Sequence, residues 1–298
     1  MERRKFIRQS SAVLAGAMVS PSVSGLVKPA GEGLTKKSLK IGMIEGNLPL
    51  IDKFKMVKDL GFHGVELDSP NDLDPMDILR ARDKSGIDIP GVVNSRHWKM
   101  PLSDADPKVR AECTESMKTA LRDCKTYGGT TVLLVPAVVN EKTSYQHAYE
   151  RAQTEIKKML PVAEEIGIKI ALENVWNNFL LSPLEAARFV DEINHPLLGW
   201  YFDIGNILRY GWPEQWITAL GKRIMKIDIK EYSRKKMNEV GLWKGFEVEL
   251  GDGDVDWSAV NSALRSVGYS GWGSAEVNGG GRDRLAEISR RMDDIYKR

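Results

Sequence analysis

Cysteine and histidine are scarce in this chain, with two and four in 298 residues. No run of 18 apolar residues occurs, so nothing reads as a bilayer-spanning helix. A chain of this length, 42% hydrophobic and 28% charged, holds one large domain or two ordinary ones. That composition excludes a fibrous, collagen-like or largely disordered protein. Cys113 and Cys124 fall in what reads as one helix, 11 residues apart. That spacing puts them on one face but about 16 Å apart along the axis. A disulfide needs Cα atoms within about 7 Å, so they read as packed core thiols. Net charge is also small, +2, and unevenly placed. Residues 1–30 hold Arg3, Arg4, Lys5, Arg8 and Lys28 against Glu2, leaving 38 Lys+Arg and 40 Asp+Glu in the rest. The basicity belongs to the N-terminus, and the remaining −2 argues against nucleic acid as a partner.

The first 20 residues, MERRKFIRQSSAVLAGAMVS, have a paired arginine, then Lys-Phe-Ile, then a mild apolar run over 12–19. That run is about half the length needed to cross a bilayer. The layout resembles a twin-arginine export signal. It predicts a signal peptide over 1–30, with cleavage after the small residues Ser22 and Ser24, before Gly25, or near Ala30. No cysteine follows to carry a lipid, so the expectation is a periplasmic or exported protein with no stable membrane anchor.

From residue 39 onward one unit recurs: a short β-branched apolar run, polar turn residues, then a helix-period stretch often closed by glycine. Strands are predicted over 39–45, 64–68, 89–94, 130–136, 168–174, 198–206, 224–232 and 271–277. Helices are predicted near 49–60, 75–85, 107–127, 145–166, 183–193, 213–221, 256–267 and 282–297. Eight strands alternating with eight helices match a single (β/α)₈ TIM barrel over 39–298. The rival doubly wound sheet would carry a glycine-rich phosphate loop after its first strand, and GMIEGNLP is not G-x-G-x-x-G. No composition break or long linker divides the span.

Barrel chemistry sits at the C-terminal ends of the strands, and those ends are acidic. Glu66 and Asp68 fall in strand 2, Glu173 ends strand 5, Asp203 ends strand 6, Asp228 lies in strand 7 and Glu276 ends strand 8. Four acids on adjacent strands at one rim repel one another unless cations, paired bases or raised pKa values offset them. Glu173, Asp203, Asp228 and Glu276 are therefore read as metal ligands, and their oxygen donors favour Mn²⁺ or Mg²⁺ over Zn²⁺.

ALENVWNNF, WYFDIGN, KIDIKEYSR and GSAEV, in this order and spacing, resemble the xylose isomerase-like superfamily of sugar (phosphate) isomerases and epimerases. In its ketose 3-epimerase branch the ligands are Glu, Asp, His and Glu after strands 5 to 8. Here those places fall on Glu173, Asp203, Asp228 and Glu276, with aspartate standing where the branch has histidine. The branch's histidine three positions after the strand 6 aspartate is Asn206, while its arginine six positions after the strand 7 ligand is present as Arg234.

The resemblance implies that Glu173 and Glu276 act as catalytic carboxylates on a keto sugar, removing the proton α to its carbonyl with metal assistance. Export favours glycosides or free sugars over phosphorylated metabolites. Members of the superfamily include 3-keto-glycoside lyases, which expel the C1 aglycone to leave a 2-hydroxy-glycal, and that outcome is the first expectation. Sugar isomerase or ketose 3-epimerase is the alternative, and a non-catalytic exported sugar-binding barrel the second. A homo-oligomer is compatible with each. A metal-dependent endonuclease of related fold would need several histidines and a basic face.

Substrate binding is expected from His97, Asn177, Lys230 and Arg234, with Asn174 orienting hydroxyls and Trp98, Trp176, Trp212 and Trp243 offered for stacking. His63, His147 and His195 read as structural or solvent-facing. Residues 234–254 read as a lid-like loop over the strand 7 exit.

Overall fold

The computed structural model describes residues 31–298. The export signal expected over 1–30 lies outside the described residues. Eight parallel strands close into one ring in chain order: β1 (Gly33–Lys40), β2 (Gly64–Ser69), β3 (Gly91–Asn94), β4 (Thr131–Leu134), β5 (Lys169–Glu173), β6 (Leu198–Asp203), β7 (Ile224–Ile229) and β8 (Ser270–Ala275). Closure comes from β1 pairing with β8, Ser38 opposite Ser274 and Leu39 opposite Ala275. The TIM barrel read from the sequence is the observed fold.

The helices are α1 (Leu50–Asp59), α2 (Pro75–Ser85), α3 (Pro107–Tyr127), α4 (Tyr145–Ile166), α5 (Pro183–Ile193), α6 (Ile204–Ile207), α7 (Pro213–Leu220), α8 (Arg234–Glu239), α9 (Trp257–Ser266) and α10 (Arg282–Tyr296). Their starts follow local chemistry. Asp74, Asp106, Ser144 and Ser182 each accept a backbone N–H of the first turn, and Pro75, Pro107 and Pro183 supply a first residue that needs no donor. Among the described residues no helix is long and apolar enough to cross a membrane. Cys113 and Cys124 are buried free thiols on α3, pushed up to about 12 chiefly by burial.

Three elements differ most from the sequence reading. The strand predicted over 198–206 ends at Asp203, and α6 takes up Ile204–Ile207. β1 begins at Gly33 rather than 39 and stops at Lys40, with a single 3-10 turn over Ile41–Met43. Its segment GLTKKSLK looks too basic for a barrel strand, yet Lys37 is buried, its ammonium held by Ser289 and Asp293. The 234–254 segment is not plain loop: it contains α8 and a 3-10 turn over Leu242–Phe246.

The apolar core lies mainly between the strands and the surrounding helices. Inside the ring a separate small cluster of Leu133, Ala171 and Tyr201 sits beneath charged side chains. Glu66 is the hub there. It pairs with Lys226 and, at 2.7 Å, with Lys40, and it accepts the Tyr201 hydroxyl at 2.7 and 2.8 Å. A Cβ on Gly91 would come within 2.8 Å of the Lys226 ammonium and 2.5 Å of the Thr131 carbonyl, so glycine opens the space this pair occupies. Burial works to raise the Glu66 carboxyl, but Lys226 and Lys40 outweigh it and hold it at about 2. Replacing Glu66 with Gln leaves two ammoniums facing an uncharged amide. It is expected to cost about 3–5 kcal/mol in urea unfolding. Adding K226M should recover part of that loss; a cost under about 1 kcal/mol for E66Q would contradict the hub.

Candidate active site

Strand register assembles the acid cluster above this hub. Asp203 stands opposite Asp228 across β6–β7, and Asp228 stands opposite Ser274 across β7–β8. Glu276, one residue past β8, donates its backbone N–H to Ile229 at 3.1 Å, while Glu173 closes β5. One carboxylate oxygen from each of Glu173, Asp203, Asp228 and Glu276 lies within 4.8 Å of all the others. Glu173, Asp203 and Asp228 are buried, and the Glu276 side chain is about two-fifths exposed (39%).

Asp203 is fixed from three sides. Its Oδ1 accepts the Asn206 N–H at 2.8 Å as the cap of α6, its own N–H donates to Asn174 Oδ1 at 2.9 Å, and its carbonyl accepts Asn174 Nδ2 at 2.7 Å. Asn206 in turn donates Nδ2 to the Asn174 carbonyl at 3.0 Å. The expectation that Asn174 orients substrate hydroxyls gives way to this role: both ends of its amide are spent on β6 backbone.

Two lysines enter the cluster. Lys230 lies 2.8 Å from Asp203 Oδ2 and 3.0 Å from Glu276 Oε2. A Cβ on Gly205 would meet the Lys230 stem at 2.7 Å, so the glycine after β6 lets that lysine pass. Lys40 bridges Glu66 at 2.7 Å and Asp228 Oδ1 at 2.9 Å and lies 4.4 Å above the Tyr201 ring. Sequence reasoning missed Lys40, because the strand predicted over 39–45 put it near the start rather than at the C-terminal end.

Across the hub and the cluster, five carboxylates (Glu66, Glu173, Asp203, Asp228, Glu276) face three ammoniums (Lys40, Lys226, Lys230), an excess of two negative charges when all are ionised. Asp228 Oδ2 is buried with no hydrogen-bond donor. Burial of unbalanced charge is expensive, and an all-oxygen donor set suits a hard divalent cation. The residues present fit one such ion.

The pKa directions follow this arrangement. Burial, then repulsion from Glu276, Asp228 and Asp203, pushes Glu173 well above its ordinary value. Burial raises Asp203 to about 6 against the pull of Lys230, and burial raises Asp228 despite Lys40. Glu276 moves the other way: burial works to raise it, but Lys230 and Lys40 outweigh that and leave it lowered.

A cleft of about 520 Å³ opens above the cluster, with Glu173, Glu276 and Lys230 at its floor and Trp98, Trp176, Trp243 and Phe246 among its walls. His97 is buried beside it. Its Nδ1 accepts the Val135 N–H at 3.2 Å, leaving the proton on Nε2, and burial lowers it to about 4, so it is neutral near pH 7. Asn177 and Arg234 do not join the site. Asn177 donates to the Ala137 carbonyl at 2.7 Å and accepts the Phe179 N–H at 3.2 Å. Arg234 donates to the carbonyls of Leu208 at 2.8 Å and Gly211 at 2.6 Å, its guanidinium 5.2 Å from the Trp212 ring. The substrate-binding role expected of both is replaced by loop tethering, and Trp212 goes with Arg234 rather than with the cleft.

Glu231, also missed, anchors the segment over the mouth. Its carboxylate accepts the backbone N–H groups of Tyr232, Gly251 and Val255 at 2.9–3.2 Å and Trp257 Nε1 at 2.9 Å.

A closed barrel with a strand-end acid cluster under a cleft defines a fold class, and comparison places the chain within it. Residues 54–295 match the model of the xylose isomerase-like TIM barrel family, and the chain belongs to that family. The L-ribulose-5-phosphate 3-epimerase UlaE of Escherichia coli is 24% identical over 282 residues, covering 89% of this chain and 96% of its own. A D-tagatose 3-epimerase-like protein superposes with a TM-score of 0.73 at 20% identity, covering 88% of this chain and 97% of the other. The 3-keto-D-glucoside 4-epimerase YcjR from E. coli does so with a TM-score of 0.73 at 14% identity, covering 89% and 100%.

The raised carboxyls set the sign of a pH effect. Asp203, Asp228 and Glu173 have folded values above their unfolded ones, so the stability their protonation contributes is present at low pH and is lost as pH rises, for Asp203 through about 6. In chelator, the thermal midpoint is expected to fall between pH 5 and 7.5. Mn²⁺ should restore it at pH 7.5 and do little at pH 5, where protons compete for the ligands. A metal-induced shift of equal size at both pH values would contradict the assignment.

Proposed function

We propose that this chain is a divalent-metal-dependent sugar epimerase or isomerase that works by removing and returning a proton on a carbon next to a carbonyl. One observation carries the reading: the Glu173 and Glu276 carboxylates lie within 4.8 Å of each other and of Asp203 and Asp228, at the floor of an open cleft. A curated relative spanning nearly the whole chain is an epimerase, which supports this outcome over the 1,2-elimination expected first from the sequence.

Glu173 and Glu276 lie together at the cleft floor, where one carboxylate takes the α proton and the other carboxyl returns one. Return to the opposite face of the same carbon inverts it, and return to the neighbouring carbon isomerises the sugar. Lys230 lies beside both Asp203 and Glu276, where its ammonium offsets the negative charge that develops on deprotonation. A divalent ion held by Glu173, Asp203, Asp228 and Glu276 would supply Lewis-acid polarisation of the sugar oxygens. Four carboxylates and no histidine suit Mn²⁺ or Mg²⁺.

E173Q and E276Q are each expected to slow solvent deuterium incorporation at the α carbon of a keto sugar by about 10²–10⁴-fold, with circular dichroism unchanged. Exchange retained in both would defeat the two-carboxylate reading. NMR of the products tells an inverted or isomerised sugar from a released aglycone.

The reading extends to location. Arg3 and Arg4 in MERRKFI support export to the periplasm by a twin-arginine-type signal. Replacing both with Lys should leave the protein in the cytoplasmic fraction; unchanged export would refute the signal.

A further inference from the structure

The cleft has an acidic floor, aromatic walls and no spare cation. Among its lining residues Lys230 is the one Lys or Arg, and its ammonium is committed to Asp203 and Glu276. Arg209 stacks 5.0 Å from the Trp176 ring and does not line the cleft. Phosphate recognition relies on Arg or Lys clusters or on backbone N–H groups at helix starts. The walls here supply no cation of that kind, so a phosphorylated sugar would meet carboxylates without a clamp.

The walls supply apolar area instead. Trp98 is 52% exposed and Trp243 is 67% exposed, and both line the cleft. Trp98 follows β3 and Trp243 follows β7, strands four places apart in a ring of eight, so the two indoles stand on opposite sides of the mouth. Trp243 is backed by Trp176 at 4.8 Å and Phe246 at 6.3 Å. The bias extends over the whole rim. Every one of the ten large hydrophobic side chains that are exposed among the described residues falls between a strand's C-terminal end and the first turn of the next main helix. Apolar surface left in water and gathered on one face marks a binding site.

We propose that the site takes an uncharged glycoside rather than a sugar phosphate: the keto sugar rests on the acid floor, and a second ring attached to it packs between Trp98 and Trp243. The inference rests on the deprotonation chemistry proposed above for the floor and adds the part of the substrate that the chemistry does not touch. Stacking on an indole face favours a ring that is planar or has an apolar face, and an aromatic pair contributes about 0.5–1.5 kcal/mol beyond its buried area.

The test is calorimetric titration of the full-length Mn²⁺-loaded protein with three probes: phenyl 3-keto-β-glucoside, methyl 3-keto-β-glucoside and L-ribulose 5-phosphate. The phenyl glycoside is expected to bind about tenfold tighter than the methyl one, with the phosphate weakest. In W98A and in W243A the phenyl preference should shrink to within about twofold, while W98F and W243F, which keep a ring, should retain most of it. Equal binding of the two glycosides, tighter binding of the phosphate, a preference untouched by both alanine variants, or no binding of any probe would each overturn the inference. Because the order of affinities and the rate of exchange are separate readouts, these results are independent of the exchange experiment. A failed glycoside preference leaves the two-carboxylate chemistry standing, and retained exchange in E173Q and E276Q leaves the binding order standing.

Discussion

Five carboxyl groups facing three ammoniums inside a protein barrel govern the rest of this structure. An ordinary TIM barrel fills its interior with branched apolar side chains. Here the apolar filling shrinks to Leu133, Ala171 and Tyr201, and above it stand five carboxylates and three lysines. The lower part balances: Glu66 takes Lys226, Lys40 and the Tyr201 hydroxyl. The upper part does not, because Lys230 and the remaining reach of Lys40 cannot neutralise Glu173, Asp203, Asp228 and Glu276 together. A bound divalent ion would neutralise that excess and couple the stability of the upper barrel to its own binding.

Placing so much charge at the axis requires room, and glycine provides it. Gly91 leaves space for Lys226 beside Glu66, and Gly205 for the stem of Lys230. Gly253 does the same for Glu231, whose Oε1 would lie 2.5 Å from an added Cβ. In each case the absence of a side chain on one element lets a charged side chain from another reach its partners. The fold, the floor of the site and the anchored segment over the mouth are linked through these close approaches.

The repeating pattern of apolar runs and glycine stops made the barrel legible, since helix caps and strand composition are local signals. The clustering of Glu173, Asp203, Asp228 and Glu276 was legible too, because strand ends are fixed by that pattern. What escaped was decided by contacts distant in sequence. The predicted first strand starts six residues late because Lys37 looks like a surface residue until Ser289 and Asp293 are brought to it. Asn174, Asn177 and Arg234 have the right chemistry for a sugar, and only the structure shows their donors used on backbone carbonyls. Glu231 passed unnoticed in the sequence, and four N–H groups from its own neighbour and the segment up to Trp257 consume its carboxylate.

The account depends on the upper acid cluster being a cation site rather than a set of protonated or lysine-paired acids. The direct measurement is metal stoichiometry: equilibrium dialysis of the purified protein against Mn²⁺ at pH 7.5, with metal per chain read by elemental analysis. The account predicts one ion per chain in the wild type and none in D203N or D228N, with the variants still folded. No retained metal in the wild type, or full retention in both variants, would contradict it.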